Sequence, residues 1–366
     1  MKTAPRCSNR SRREFLRDSA IAMAGIAVSA HSLAADNSKS KALNYNENMD
    51  YRPCGRTGLM ISNVCMGGHW KRLDMVVPGV FKTAGLFDLR INNDPEFAKN
   101  RYDVVTRCIE RGINYIDACV GAEVVAYAKA LKGRRDKMHL GYSWYEKEAR
   151  NGEWRTAKKL LLGLDSGLKE AGIDYVDLWR ITCHEQGGDH TFNESCEIAE
   201  ALDTAKRQGK ARFTGVSSHD RRWLKMMIEE FPEQMEIIVT PYTAKSKVAP
   251  TDSLFEIAQK AQVGIFGIKP FANNTLFKGD SAPNSPNADE DNRRARLAVR
   301  YILSNPAITA PIPGLISPQQ VDNVADAIKE RRDLDRAELR DLEHAGNEAW
   351  AKLSPDYQWL KKWEYV

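Results

Sequence analysis

The seven cysteines of this 366-residue chain include no C-x-x-C pair. Cysteine-based zinc and iron–sulfur sites therefore have no support. A basic surface is also missing. The formal net charge is +5, but residues 1–35 carry six Lys/Arg against two Asp/Glu, leaving 48 basic and 47 acidic side chains in the remainder. So balanced a body argues against a nucleic-acid partner, which needs concentrated positive charge. No apolar run approaches the roughly 20 residues of a membrane-spanning helix. The Gly-rich G-x-G-x-x-G turn of a doubly wound dinucleotide fold is absent as well: the turn after the first candidate strand reads Met66-Gly67-Gly68-His69.

The basic excess has a local explanation. Ser11-Arg12-Arg13-Glu14-Phe15-Leu16 is a twin-arginine pattern, followed by an Ala-rich apolar run from Ala20 to Ala30. Small residues at Ser32-Leu33-Ala34-Ala35 offer a cleavage point. Residues 1–35 are read as an export signal, and the mature protein is expected in the periplasm or outside the cell. Twin-arginine signals address folded cargo, so the matching export machinery is an expected partner. That window holds no cysteine for a lipid anchor, and no stable membrane anchor is expected. Residues 36–50, rich in Asn and Ser, read as a linker.

From residue 51 to 366 the pattern changes. A hairpin is expected over 52–62, with Gly55 and Gly58 in its turn. Apolar runs of strand length follow at 61–66, 114–118, 138–142, 175–181, 211–216, 236–239, 264–268 and 308–312, alternating with helical periodicity. Helices fit 154–171, 195–208, 253–261, 292–303 and 318–328. Eight strand–helix units predict a single (β/α)8 TIM barrel, with a further helix over 334–351. Two connections, 70–100 and 272–291, are long enough to be functional loops.

Ile312-Pro313-Gly314-Leu315-Ile316-Ser317 reads as strand, Gly turn and helix start. A helix N-terminus offers unpaired N–H groups and a favourable dipole to phosphate. Gly314 and Ser317 are the candidate phosphate contacts. Gln319 and Asn323, four apart on one helical face, are candidates for an adenine edge.

Five phrases in order then resemble the aldo/keto reductase family: YRPCGRTGLMIS ending at Ser62, RGINYID at 111–117, IDYVDL at 173–178, GKARFTGVS at 209–217 and RYILSNPAITAPIPGLISPQQVDN at 300–323. The resemblance implies NADP(H) at the C-terminal mouth of the barrel and hydride transfer with a small carbonyl or alcohol substrate. It places Ser217 and Ser218 at the nicotinamide carboxamide, Tyr242 on the nicotinamide ring and Lys269 near the pyrophosphate. Val239 stands where a carboxamide-binding Gln is usual.

The same resemblance exposes what is missing. Asp117 matches the family aspartate. The tyrosine that gives up the proton is Ala122, and the lysine that tunes it is Ser143. The family histidine position falls on Thr182, two residues before His184. Two replacements stay open: Tyr142 turned into the mouth, or His184 as acid/base. Cys119, Cys183 and His219 lie near the same strand ends. Two functions follow: an oxidoreductase with a non-standard acid/base, or a catalytically silent nucleotide- or ligand-binding barrel.

Replacing Arg12 and Arg13 together by Lys is expected to hold the chain in the cytoplasm with residues 1–35 attached. Normal processing of that variant in cell fractions counts against the signal.

Overall fold

The computed structural model describes residues 42–246, 253–330 and 332–361. The expected signal at 1–35 and the first part of the linker lie outside the described residues. No described helix is long and apolar enough to cross a membrane.

A hairpin comes first: β1 (Tyr51–Pro53) pairs antiparallel with β2 (Met60–Ser62). Seven parallel strands then form one sheet in chain order: β3 (Tyr115–Asp117), β4 (His139–Tyr142), β5 (Val176–Thr182), β6 (Ala211–Ser217), β7 (Ile237–Pro241), β8 (Gly264–Ile268) and β9 (Ala310–Ile312). Cys65, Met66 and Gly67 close the ring between the first and last of these. Met66 N–H donates to Tyr115 O (3.0 Å), while Cys65 and Gly67 N–H donate to Pro311 O (3.0 Å) and Pro313 O (2.8 Å). The result is the eight-stave barrel that the sequence pattern predicts.

The strand expected over 61–66 is thus divided. Its first part belongs to the hairpin and its last residues to the barrel. Asn63 and Val64 carry the bend between them: the Ser62 hydroxyl donates to Val64 O (2.7 Å), and Asn63 N–H donates to Asp50 O (2.8 Å). The hairpin is anchored by the Arg52 guanidinium, which donates to Leu303 O, Asn305 O and Ile308 O.

The helices run α1 (Pro95–Glu110), α2 (Gly121–Ala130), α3 (Ala157–Ala171), α4 (Phe192–Arg207), α5 (Arg221–Glu230), α6 (Leu254–Lys260), α7 (Ala288–Leu303), α8 (Pro318–Lys329) and α9 (Arg336–Ala351). Capping sets several of their starts. Thr191 and Glu194 make a reciprocal capping box, so α4 begins at Phe192, three residues before the start expected from its periodicity. Ser317 caps α8, whose first residue is Pro318.

Strand side chains alternate between two environments, as a two-residue period requires. One set, including Ile61, Cys65, Leu178, Val239, Phe266 and Ile312, packs together as a small cluster inside the barrel, where Tyr115 stacks on Phe266 at 4.4 Å. The other set packs outward against the helices in a much larger core. This parity decides which residues can reach the mouth.

Candidate active site

The inner cluster ends upward in charge. Asp117 closes β3 on the inward parity of Tyr115 and is buried. Arg180 lies on β5 between Leu178 and Thr182, also inward and buried. Its guanidinium grips Asp117 with two bonds, Nη2 to Oδ2 at 2.5 Å and Nε to Oδ1 at 3.1 Å. Between them β4 contributes Gly141, where a Cβ would sit 2.1 Å from Tyr115 Oη and 2.9 Å from Asp117 Oδ1. The pair exists because that strand is bare at this level. Burial works against the Arg180 charge, but Asp117 overrides it and holds the guanidinium well above its ordinary pKa.

Just after β4, Ser143 is tied into a polar knot. Ser143 Oγ donates to Glu148 Oε2 (2.5 Å) and bonds Thr182 Oγ1 (2.7 Å). Glu148 also accepts from Thr182 N–H (2.8 Å) and Trp179 Nε1 (3.0 Å). Burial pushes its carboxyl pKa up against these donors. Arg180 joins the knot through Nη1 to Thr182 Oγ1 at 2.9 Å. Asp117 therefore has its cation, delivered from β5 instead of from the end of β4.

Asp117 and Arg180 form part of the wall of a cleft of about 840 Å³. Ser217, Lys269, Gly314, Ser317, Gln319 and Asn323 line the same cleft. At Gly314 a Cβ would lie 2.5 Å from Gly68 O, so the turn before α8 packs directly on the chain after the first stave. Lys269 adopts a left-handed backbone (φ 58°), and burial lowers its ammonium pKa to about 8. Its Nζ lies 5.6 Å from the Trp359 ring centroid. Two cations on the loop after the first stave also line the cleft. Lys71 Nζ bonds Asn273 Oδ1 (2.7 Å) and Tyr357 Oη (2.9 Å), and Arg72 Nη1 bonds Gly279 O (2.8 Å). Both long segments and the tail thus meet over the cleft.

Several expected residues are elsewhere, for one reason. Tyr142 shares the outward parity of Leu140, lies fully buried in the outer core and packs at Gly167 of α3. Its hydroxyl has no hydrogen-bond partner, and burial drives its pKa well above the ordinary phenol value. It cannot serve as the mouth's proton donor. Tyr242 follows Ile238 and Thr240 on the outward side. Its ring meets Phe255 edge-on, and its Oη accepts from Asn305 Nδ2 (3.2 Å), so it does not lie over the cleft. Ser217 is inward, whereas Ser218 is outward and donates its hydroxyl to His184 O (2.8 Å). Cys183 is likewise outward and buried.

His184 misses for a different reason. β5 ends at Thr182, and the following turn carries the ring to the Arg155 guanidinium and to His190, 4.8 Å away. His184 is absent from the cleft lining. His219 stacks on Trp359 at 4.2 Å. Cys119 does line the cleft, but burial raises its thiol pKa, which opposes a reactive thiolate. Among the described residues no group of three His, Cys, Asp or Glu is placed to hold a metal ion.

Arg180 escaped the sequence reading, although its signal was present. It is a lone guanidinium in the apolar run Val176–Thr182, in step with Leu178. Lys71, Arg72 and Tyr357 carried no comparable signal, because loop and tail placement depends on the whole fold. His69 and Glu123 were missed as well, because their contact joins residues 54 positions apart in the chain.

Comparison with known proteins agrees with this architecture. The profile of the aldo/keto reductase family matches residues 83–346, and the chain belongs to that family. It is 26% identical over 243 residues to the L-glyceraldehyde 3-phosphate reductase of Escherichia coli (strain K12), covering 62% of this chain and 63% of that protein. The match thus spans just under two thirds of that relative's length. The uncharacterized oxidoreductase YrpG of Bacillus subtilis (strain 168) is 23% identical over 329 residues, covering 77% of this chain and 90% of that one. Among solved structures, the holo form of aldo-keto reductase AKR11C1 from Bacillus halodurans superposes with a TM-score of 0.58 at 20% identity. The superposition covers 85% of this chain and 99% of that one.

Arg180→Met strands the Asp117 carboxylate in the barrel and should cost about 3–5 kcal/mol of unfolding free energy. Adding Asp117→Asn should restore part of the loss. Urea unfolding of both variants measures it, and a single variant as stable as the parent would show that the pair carries no structural charge balance.

Proposed function

We propose that this chain is an NADP(H)-dependent oxidoreductase that interconverts a small carbonyl compound and its alcohol with an acid/base other than tyrosine. One observation carries the proposal: a single cleft runs from a helix-terminal phosphate cradle to the buried Asp117–Arg180 pair. The cradle fits a dinucleotide. Among the described residues, the backbone N–H groups of Ser317 and Gln319 have no protein partner at the start of α8, where the helix dipole favours an anion. Lys269 lies on the same wall as a counter-charge. Gln319 offers its amide to an adenine edge, beside Asn323, whose Nδ2 bonds Asn292 O at 3.0 Å. Arg296, bonded to Asn323 Oδ1 at 2.6 Å, is the guanidinium beside that end for a 2′-phosphate.

When bound, the nicotinamide supplies or accepts the hydride. The chain's own residues must orient the substrate and manage a proton. The Asp117–Arg180 pair gives the cleft floor a fixed dipole that needs no reorganisation as charge develops. Lys71, Arg72, Asp289 and Asp291 line the same cleft, a polar surface of both signs that suits a polar, hydroxylated carbonyl compound. The names of the relatives support that class: a triose-phosphate reductase, and the L-galactose dehydrogenase of Arabidopsis thaliana. Members of this family generally use NAD(P)H. The twin-arginine pattern adds export of the folded protein to the proposal. The rival reading, a silent binding barrel, draws on Ala122 and Ser143 at the positions of the usual tyrosine and lysine.

Ser317→Asp keeps a good helix cap and puts a carboxylate where phosphate would sit. Calorimetry should show NADPH binding weakened by at least about tenfold, or 1.4 kcal/mol, with an unchanged unfolding midpoint. Equal affinity in parent and variant, or no NADPH binding by the parent, removes the basis of the proposal. A parent that binds NADPH but consumes none with aldehydes and sugars supports the silent barrel.

The lowered pKa of Lys269 sets a pH dependence. The ammonium is charged below about pH 8 and neutral above it. NADPH affinity should therefore fall as pH rises from 7 to 9, and Lys269→Met should weaken binding at pH 7 and flatten that slope. A slope that persists in the variant assigns the effect to another group.

A further inference from the structure

With Tyr142 and His184 directed away from the cleft, the proton still needs a carrier. The loop after the first stave contains one that the family pattern does not mark. His69 lines the cleft with its side chain 44% exposed. Its Nδ1 lies 2.9 Å from Glu123 Oε1 on the first turn of α2, and its backbone N–H donates to the same oxygen. Glu123 Oε2 accepts from Cys119 N–H at 2.8 Å. The carboxylate is fully buried. Burial works against its charge, but the His69 imidazole and these donors overcome that and hold it below the usual carboxylate range.

Three further features show that the pair is built. Gly68 leaves the space that the carboxylate occupies, since a Cβ there would be 2.0 Å from Glu123 Cδ. His69 is held in the left-handed region (φ 57°), a costly backbone for a non-glycine residue and one that collects at functional sites. Phe87 packs edge-on against the imidazole at 5.3 Å. The pair is also continuous with the Asp117 centre: Cys119, whose N–H binds Glu123, has its Sγ 3.8 Å from Arg180 Nη1.

We infer that His69 is the general acid/base of this site and that Glu123 is its positioning residue, an inference that rests on the oxidoreductase reading above. A buried carboxylate on Nδ1 selects the tautomer in which Nδ1 carries hydrogen and Nε2 faces the cleft. The arrangement follows the logic of a carboxylate–histidine catalytic pair. In the reducing direction the carbonyl carbon gains a hydride from the reduced nicotinamide, and the carbonyl oxygen takes the proton from His69 Nε2. The products are the alcohol, the oxidised nicotinamide and a neutral imidazole, which recovers its proton from solvent at its exposed edge. In the oxidising direction neutral Nε2 takes the alcohol proton as the hydride leaves. The cleft then supplies its own proton without a phenol at 122.

The test uses the full chain, with 15N-labelled histidine and NADPH with 4-nitrobenzaldehyde and glyceraldehyde as probes. Near neutral pH the His69 ring nitrogens should report hydrogen on Nδ1 in the parent and a shift toward the Nε2–H form in Glu123→Gln. His69→Asn tolerates the left-handed backbone and has no ring nitrogen. It should lower NADPH consumption by roughly 10²–10⁴-fold while its calorimetric affinity for NADPH stays within about twofold. Glu123→Gln should show a smaller rate loss and an altered pH profile. Hydrogen on Nε2 in the parent, or an unchanged rate in His69→Asn with NADPH still bound, overturns the dyad alone. A parent that binds no NADPH overturns the oxidoreductase reading whatever the tautomer, and one that binds it without turnover overturns both.

Discussion

A carboxylate and a guanidinium enclosed within a barrel must find each other, and in this protein Asp117 and Arg180 do so across the bare surface of Gly141. Much of the site is arranged around that contact. Tyr115 stacks beneath it on Phe266. Thr182 Oγ1 accepts a hydrogen bond from Arg180 and links the pair to Ser143 and Glu148. An unpaired charge at this depth would be costly; Tyr115 Oη and Thr182 Oγ1 bond the pair, and Gly141 is small enough to keep clear.

Above the pair the site is assembled from segments far apart in sequence. The loop after the first stave brings His69, Lys71 and Arg72. The segment after β8 brings Lys269, Asn273 and Asn274, and the tail brings Tyr357. Lys71 ties two of them together by bonding both Asn273 and Tyr357. Charged groups of both signs line the cleft: the ion pair forms part of its wall, and His69, bonded to Glu123, lies on the loop after the first stave.

Ala122 and Ser143 are both buried and leave no holes. Ser143 is bonded on two sides, and Ala122 sits in a buried first turn whose next residue, Glu123, holds His69. These positions are internally consistent, and Asp117 finds its cation, Arg180, on a different stave of the same barrel. A fold whose staves all converge on one mouth permits such relocation, because several strand ends lie within reach of the same substrate.

Periodicity and turn chemistry by themselves determined the barrel, its hairpin and the turn and helix start at Gly314 and Ser317, since those depend on local pattern and on the start of one helix. Family phrases pointed to Asp117, Ser217, Lys269, Gln319 and Asn323, and the structure gathers all of them on one cleft. The sequence could not reveal which side of each strand faces inward. One residue of register separates Ser217 from Ser218 and Gly141 from Tyr142, and Tyr242 falls on the outward side for the same reason. Nor could it reveal partners joined through space. Arg180 reaches Asp117 across an intervening strand, and Glu123 reaches His69 across 54 residues. Those pairings were decided only when the barrel closed, because closure sets which buried charges must neutralise each other.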